Sequence, residues 1–245
     1  MLHTTKGIVL RSVKYGETSL ICTIFTAIYG VQTYVVQGVR SNKSKNNKAG
    51  LLQPAVVLEL VVYHKPNANM QRIKEFVPAY IYKDLQANVL KNSIALFSVE
   101  LLLRLLPGQA PQPELFNFSN SYFQQLDEME NDEIANFPLY FIINCSRLMG
   151  YEIKGSYSAA TPHLDIQEGG FTSHIPKMPP FVNDEDALAL SVLLKIGDIR
   201  ILHTAEMNAA IRFRLLEWYV AFLQNHSQHM GNIRSLHILQ TILHK

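Results

Sequence analysis

The sequence predicts an α+β protein of more than one domain, with a small five-stranded β-barrel over residues 1–80 and a helical domain over residues 81–245. Three observations carry this. From Gly7 to Val77 the apolar residues fall in short β-branched runs parted by turn residues, with no segment of helical period. After Pro78 the period becomes that of amphipathic helices. Charge divides at the same place: residues 1–83 hold eleven Lys and Arg against three acids, Glu17, Glu59 and Glu75, while residues 84–245 hold eleven against seventeen. The net charge of +2 thus conceals a surplus of eight positive charges followed by a surplus of six negative ones.

The strands are read in order. Lys6 to Val13 alternates loosely and ends in the turn Lys14-Tyr15-Gly16-Glu17, and Ser19 to Thr26 follows. Tyr29-Gly30 turns the chain into Val31 to Val36. A basic loop with Arg40, Lys43, Lys45 and Lys48 and no acid leads to Val56 to Tyr63, and a turn at Lys65 to Asn69 returns the chain through Met70 to Val77. Five strands in so short a stretch fit an OB-fold barrel, the kind most used for oligonucleotides, or a small SH3-like barrel. Strand counting does not choose between them.

The helices are read from their stripes. Asn92 to Leu106 places Ile94, Phe97, Leu101, Leu102 and Leu105 on one face, and Pro107-Gly108 ends it. Pro113 opens a second helix with the stripe Leu115, Phe118, Tyr122, Phe123 and Leu126, and a third runs from Ile134 to Met149 until Gly150. Each has one oily face and no strand of its own, so the helices are expected to pack on one another. Residues 151–182, with four prolines and Gly169-Gly170, are too punctuated for a helix, and a short hairpin is expected from Leu164–Ile166 and Gly170–His174. Asn183 caps a helix to Lys195 with Asp184, Glu185 and Asp186 in its first turn. The longest periodic run goes from His203 to Leu223, and Ser235 to Leu243 closes the chain.

Composition limits the function classes. No stretch approaches the ~18 apolar residues of a membrane span, and the N-terminus has no secretory pattern, so the expected compartment is the cytoplasm. Cys22 and Cys145 lie in apolar surroundings that suit buried thiols. The phosphate loop of nucleotide hydrolases, Gly-x-Gly-x-x-Gly, His-Glu-x-x-His and Gly-x-Ser-x-Gly are all missing. His163, Asp165 and His174 are the nearest approach to a metal cluster, yet read better as loop residues, and His226 and His229 as helix-end cations. The sequence thus offers no motif of nucleotide hydrolysis or nucleophilic catalysis, and no cofactor or metal is expected.

The basic barrel is what remains. The expected nucleic-acid contacts are Arg11 and Lys14 at the first turn, Arg40, Lys43, Lys45 and Lys48 in the loop, and Lys65, Arg72 and Lys74 around the last hairpin. Arg72 and Lys74, two residues apart, should project to one face. Among the aromatics, Tyr15, Tyr34 and Tyr63 are candidates for stacking on unpaired bases, against the alternative that they fill the core.

Lys6-Gly7-Ile8-Val9-Leu10, Tyr15-Gly16-Glu17, Phe25-Thr26, Tyr29-Gly30, Gly38-Val39-Arg40 and Leu51-Leu52-Gln53-Pro54 together resemble the N-terminal domain of the bacterial recombination mediator family RecO. Later likenesses are Leu148-Met149-Gly150-Tyr151 and Asp165 to Phe171. The resemblance implies an OB-fold and a helical domain, and a nucleoid-associated DNA repair protein without enzymatic activity. It also implies binding to single- and double-stranded DNA, annealing of complementary strands, and, with a RecR-type partner, loading of recombinase on DNA coated by single-strand-binding protein. Many members of the family carry a four-cysteine zinc site after the position of Gly150. No cysteine follows Gly150 here, so the zinc is expected to be missing and the hairpin to hold by packing. The competing expectation is a protein adaptor whose barrel is only a scaffold and whose acidic helical half recruits a partner.

Overall fold

The structure is a computed structural model that describes residues 2–40, 48–66, 68–106, 108–228 and 230–243. Strands β1 (Leu2–Tyr15), β2 (Ser19–Thr26), β3 (Gly30–Val36), β4 (Val57–Tyr63) and β5 (Gln71–Pro78) close into a barrel in the order β1-β2-β3-β5-β4. All neighbours are antiparallel except β3 and β5. This is the OB-fold order, and it settles the choice that strand counting leaves open. Val9, Cys22, Ile24, Tyr34, Leu58, Leu60 and Val62 fill the interior, all without solvent exposure.

Two bulges set which side chains face out. Between Val9 and Arg11 the register of β1 against β2 shifts, so Leu10 is an extra residue. Val9 and Ser12 face the interior, where Ser12 lies opposite Cys22, and Arg11 lands on the outside. Between Val61 and Val62 of β4, the partner β5 carries Lys74 as its extra residue.

The chain divides into two compact units, one of Met1–Lys83 with Leu106–Gln124 and one of Asp84–Leu105 with Gln125–Lys245. The first unit holds a finding that the helical stripes do not foretell. Ile8, Phe25 and Val57 are neighbours in register on the outer side of the barrel, yet are fully buried. Helix α2 (Pro113–Glu128) brings Phe116 edge-on to Phe25 with 5.4 Å between ring centroids. This helix therefore packs on strands. The expectation of helix-only packing fails because the β1-β2-β4 surface is apolar on both faces.

The second unit contains α1 (Val89–Leu105), α3 (Phe137–Leu148), α4 (Asp184–Leu193), α5 (Ala209–His226), α6 (Ser235–Leu243) and a two-stranded hairpin of β6 (His163–Asp165) and β7 (Gly170–Thr172). Asn88 starts α1 by accepting the N–H groups of Leu90 and Lys91, four residues before the apolar stripe becomes legible. Helix α5 starts at Ala209 rather than near His203, because the Asn208 side chain accepts the Ile211 N–H at 2.9 Å. Ile199–Thr204 forms a 3-10 turn instead.

Two buried charges in this unit are paired. The wholly buried Asp186 carboxylate accepts two bonds from Arg214, at 2.7 and 2.8 Å, and one from the Asn183 N–H that opens α4. Lys91, 5% exposed, donates to the Asp84 carboxylate at 2.9 Å and to the Asp127 carbonyl at 2.6 Å. Such pairs fix position more than they stabilise, but breaking one would leave a charge buried alone.

Gly30 combines a left-handed backbone with a close backbone approach. Its φ is +62°, and a Cβ there would sit 2.4 Å from the Ala110 carbonyl oxygen. Gly16 has φ +59° and open space around it. Gly16→Ala is expected to cost about 1 kcal/mol, the left-handed penalty alone, and Gly30→Ala at least twice that. Urea denaturation of the two variants checks the difference, and equal losses would contradict the close packing of 108–110 on the β2–β3 turn.

Candidate nucleic-acid interface

The closed barrel presents one continuous row of cross-strand neighbours on its outside. Val13 pairs with Ile21, Ile21 with Val35, Val35 with Arg72, and Arg72 with Tyr63. Paired residues share a face, so Arg72 lies three strand spacings from Val13, about 14 Å. The next row begins with Arg11, opposite Thr23, which lies opposite Thr33. Arg11 and Arg72 therefore flank one outer surface of β1, β2, β3 and β5. Without the Leu10 bulge Arg11 would face the core.

A cleft of about 450 Å³ opens where β3 and β5 separate. The two strands pair only at Tyr34–Gln71 and Val35–Arg72. Lys48, Arg72 and Lys74 line the cleft together with the apolar Val36, Val39 and Phe76. Lys48 holds its ammonium 5.8 Å from the centre of the Phe76 ring, a cation–π contact that carries a charge over an oily floor. Glu75 also lines the cleft, and its carboxylate lies 3.4 Å from the Lys74 ammonium. Both groups are exposed, so solvent screens this pair and Lys74 keeps most of its attraction for a phosphate. The i, i+2 expectation for Arg72 and Lys74 is changed in detail by the bulge. In register, Arg72 and Glu75 share the outer face, and Lys74 is the inserted residue beside them.

The other predicted contacts fall in different places. Arg40 folds back on the β1–β2 turn, its N–H bonded to the Thr18 carbonyl at 3.0 Å and its guanidinium to the Gly16 carbonyl at 3.4 Å. Lys14 lies opposite Leu20, which lies opposite Val36, so it belongs to this same end of the barrel. Lys65 does not. It sits on the β4–β5 hairpin, where His64 stacks on Tyr29 of the β2–β3 turn with ring centroids 3.8 Å apart. Strand β2, about 24 Å long, separates that turn from the one that Arg40 touches. Burial, and the nearby His3, hold the His64 pKa below its usual value, so Lys65 is the cation of this hairpin at neutral pH. Lys43 and Lys45 lie outside the described residues.

The three tyrosines separate. Tyr15 and Tyr63 are 54% and 46% exposed, at the first turn and on the outer row beside Arg72. Tyr34 corrects the expectation of base stacking: it is wholly buried among the interior residues, and burial drives its hydroxyl pKa up. Its inward position on β3, between outward Thr33 and Val35, decides this. The cleft itself has no sequence signal, because it depends on where the β3–β5 ladder stops.

The residues that follow Gly150 do not fit the zinc that many members of the resembled family carry. Among the described residues no group of three or more His, Cys, Asp and Glu is placed to hold a metal. His163 Nδ1 lies 3.3 Å from the Asp184 carboxylate, and Asp165 accepts the Glu168 N–H at 2.9 Å. His229 lies outside the described residues. Lys154 adds its backbone to the hairpin, donating to the Gly169 carbonyl and accepting from the Phe171 N–H, both at 2.9 Å. Leu164 and Ile166 are buried beneath it, and the Ile166 carbonyl meets His226 Nε2 at 2.7 Å. Cys145 is fully buried in α3, which pushes its thiol pKa up and away from nucleophilic chemistry.

Comparison with known proteins matches both parts of the chain. Residues 1–82 match the family described as Recombination protein O N terminal, and residues 86–237 the family described as Recombination protein O C terminal. A DNA repair protein RecO of Phocaeicola vulgatus is 30% identical over 243 residues, covering 99% of both chains. One from Bacteroides fragilis strain ATCC 25285 is 29% identical over 244 residues, again 99% of both. A more distant one from Salinibacter ruber is 30% identical over 146 residues, 60% of this chain and 55% of its own.

Because packing and backbone bonds hold the 151–182 segment, chelation should leave it intact. Thermal unfolding is expected to keep its midpoint within 1 °C, to order of magnitude, after dialysis against EDTA, with far less than one zinc per chain by elemental analysis. Stoichiometric zinc, and a fall in the midpoint when it is removed, would contradict this.

Proposed function

The chain belongs to the RecO family, and we propose that it is a non-enzymatic recombination mediator that binds single- and double-stranded DNA through its barrel. The observation that carries the reading is the cleft where Lys48, Arg72 and Lys74 converge with a single acid, on the part of the chain where positive charge is concentrated. Arg40 and Lys14 extend this positive surface at the first turn, with Tyr15 beside them, and Arg11 extends it along the outer face. Lys43 and Lys45 are assigned to phosphate contact on charge alone.

Cations that neutralise the phosphates of two strands lower the repulsion between those strands, so complementary sequences can meet and anneal. Tyr15 and Tyr63 offer flat, half-exposed rings for unpaired bases, which favours binding that is indifferent to sequence. In this reading the protein works in the cytoplasm at the nucleoid. It acts with a RecR-type partner to help a recombinase replace single-strand-binding protein on DNA. No helix of the described residues is long and apolar enough to cross a membrane.

Titration of a labelled oligonucleotide at several salt concentrations tests the reading. With about five phosphates neutralised, the log–log slope on single strands is expected near −3 to −4, from about 0.7 per contact. Changing Arg40, Lys43, Lys45 and Lys48 to Ala should flatten it by up to about 3 and weaken binding alike for all sequences. An unchanged slope would remove these residues from the interface, and no binding even at low salt would overturn the proposal.

A further inference from the structure

The cleft between β3 and β5 has a property that phosphate binding does not use. Strand β5 pairs with β4 from Leu58–Pro78 to Tyr63–Arg72, and the β3 residue Val36 pairs with Leu20 of β2. On the sides that face each other, β3 and β5 are joined only at Tyr34–Gln71 and Val35–Arg72. Beyond those pairs, among the described residues, no strand lies between Val36–Val39 and Ile73–Val77. The edge of β5 therefore lines one side of the groove, and Val36 with the turn residues that follow it lines the other. An edge of this kind is a template for an added strand.

We infer that the β3–β5 groove docks an extended acidic peptide, which joins the barrel as an added strand and competes with single-stranded DNA for Lys48, Arg72 and Lys74. The competition rests on the DNA-binding reading above, whereas the docking does not. Ile73 to Val77 offers about 16 Å of edge, enough for a strand of about five residues. The groove also alternates in chemistry: Val36, Val39 and Phe76 make an apolar floor, while Lys48, Arg72 and Lys74 make a cationic rim. An extended peptide points alternate side chains to opposite sides. The matching segment therefore alternates Val or Ile with Asp or Glu.

Main-chain chemistry favours a peptide over a nucleic acid here. A strand edge presents both N–H and C=O groups, and a peptide answers both along its length. A sugar–phosphate backbone offers acceptors for the N–H groups and leaves the carbonyls without donors. A nucleic acid can thus use the rim, and a peptide can use the rim and the β5 edge together.

The probe is a fluorescein-labelled nonapeptide that alternates Glu with Val, titrated by anisotropy into the full-length protein, with a copy N-methylated on alternate residues and an unlabelled thymidine 20-mer as competitor. The unmethylated peptide is expected to bind, methylation to weaken it at least tenfold, Arg72→Gln with Lys74→Gln to weaken both peptide and oligonucleotide, and the oligonucleotide to displace the peptide. Equal binding of the two peptides would overturn the inference, since charge alone would then account for it. So would an absence of peptide binding to protein that binds the oligonucleotide, and the DNA reading would stand. Peptide binding that no oligonucleotide displaces would overturn the shared cations. Methylation-sensitive binding by protein that fails to bind oligonucleotide would support the docking groove and sink only the DNA reading. The peptide comparison needs no protein variant, so it holds even if the double variant misfolds.

Discussion

The barrel closes through two residue pairs, Tyr34–Gln71 and Val35–Arg72, and the arrangement of its surface depends on that short parallel contact. Gln71 is the hinge of it. Buried to 4% exposure, its side-chain amide accepts the Lys65 N–H at 2.9 Å and donates to the carbonyls of Lys65 and Ala68 at 2.8 and 3.2 Å. One side chain thus satisfies the hairpin backbone and anchors the start of β5 beside β3. A buried amide with three partners has nothing comparable to gain in another register, so the closure is specific as well as stable. The brevity of the contact has the opposite effect a few residues on, where the strands part and the cleft opens.

Charge placement follows from this geometry together with the bulges. Leu10 inserted in β1 turns Arg11 outward, and Lys74 inserted in β5 sets an ammonium beside the cleft that Arg72 and Lys48 already line. Bulges of this kind re-aim side chains at modest cost to the ladder. Two insertions therefore break an even alternation, one turning Arg11 to the outer face and the other setting Lys74 where β3 and β5 diverge. The acids of the same unit do not undo this, because Glu59 pairs in register with Lys6 and Val77 on β4 and only Glu75 reaches the cleft.

Much of the fold was legible in the sequence. Strand β2 runs from Ser19 to Thr26 as its pattern predicts, and the other strands differ by a few residues at their ends. The helix stripes and the capped start of α4 also hold, since local periodicity and capping decide them. What the sequence hid were effects of tertiary register. Phe116 looks like an off-stripe residue until a second apolar face of the sheet requires it, and Tyr34 looks like a stacking platform until its place on β3 puts it inside. For the site, the concentration of cations was readable from composition, but their grouping was not: Lys48 of the 3-10 turn before β4 meets Arg72 and Lys74 of β5, while Lys65 lies at the hairpin end beside Tyr29. Bulges cannot be counted from hydrophobic alternation alone, so the facing of Arg11 and Lys74 was open until the strands were paired.

The central claim is that the barrel, and not the helical unit, carries the nucleic-acid track. Photo-crosslinking of a thiothymidine-substituted single strand to the full-length protein, with the adducts located by mass spectrometry, tests it most directly. Adducts clustered within residues 2–83, on peptides that contain Tyr15, Tyr63 or Arg72, are the predicted result. Adducts concentrated in residues 125–243, with the barrel unmarked, would contradict it.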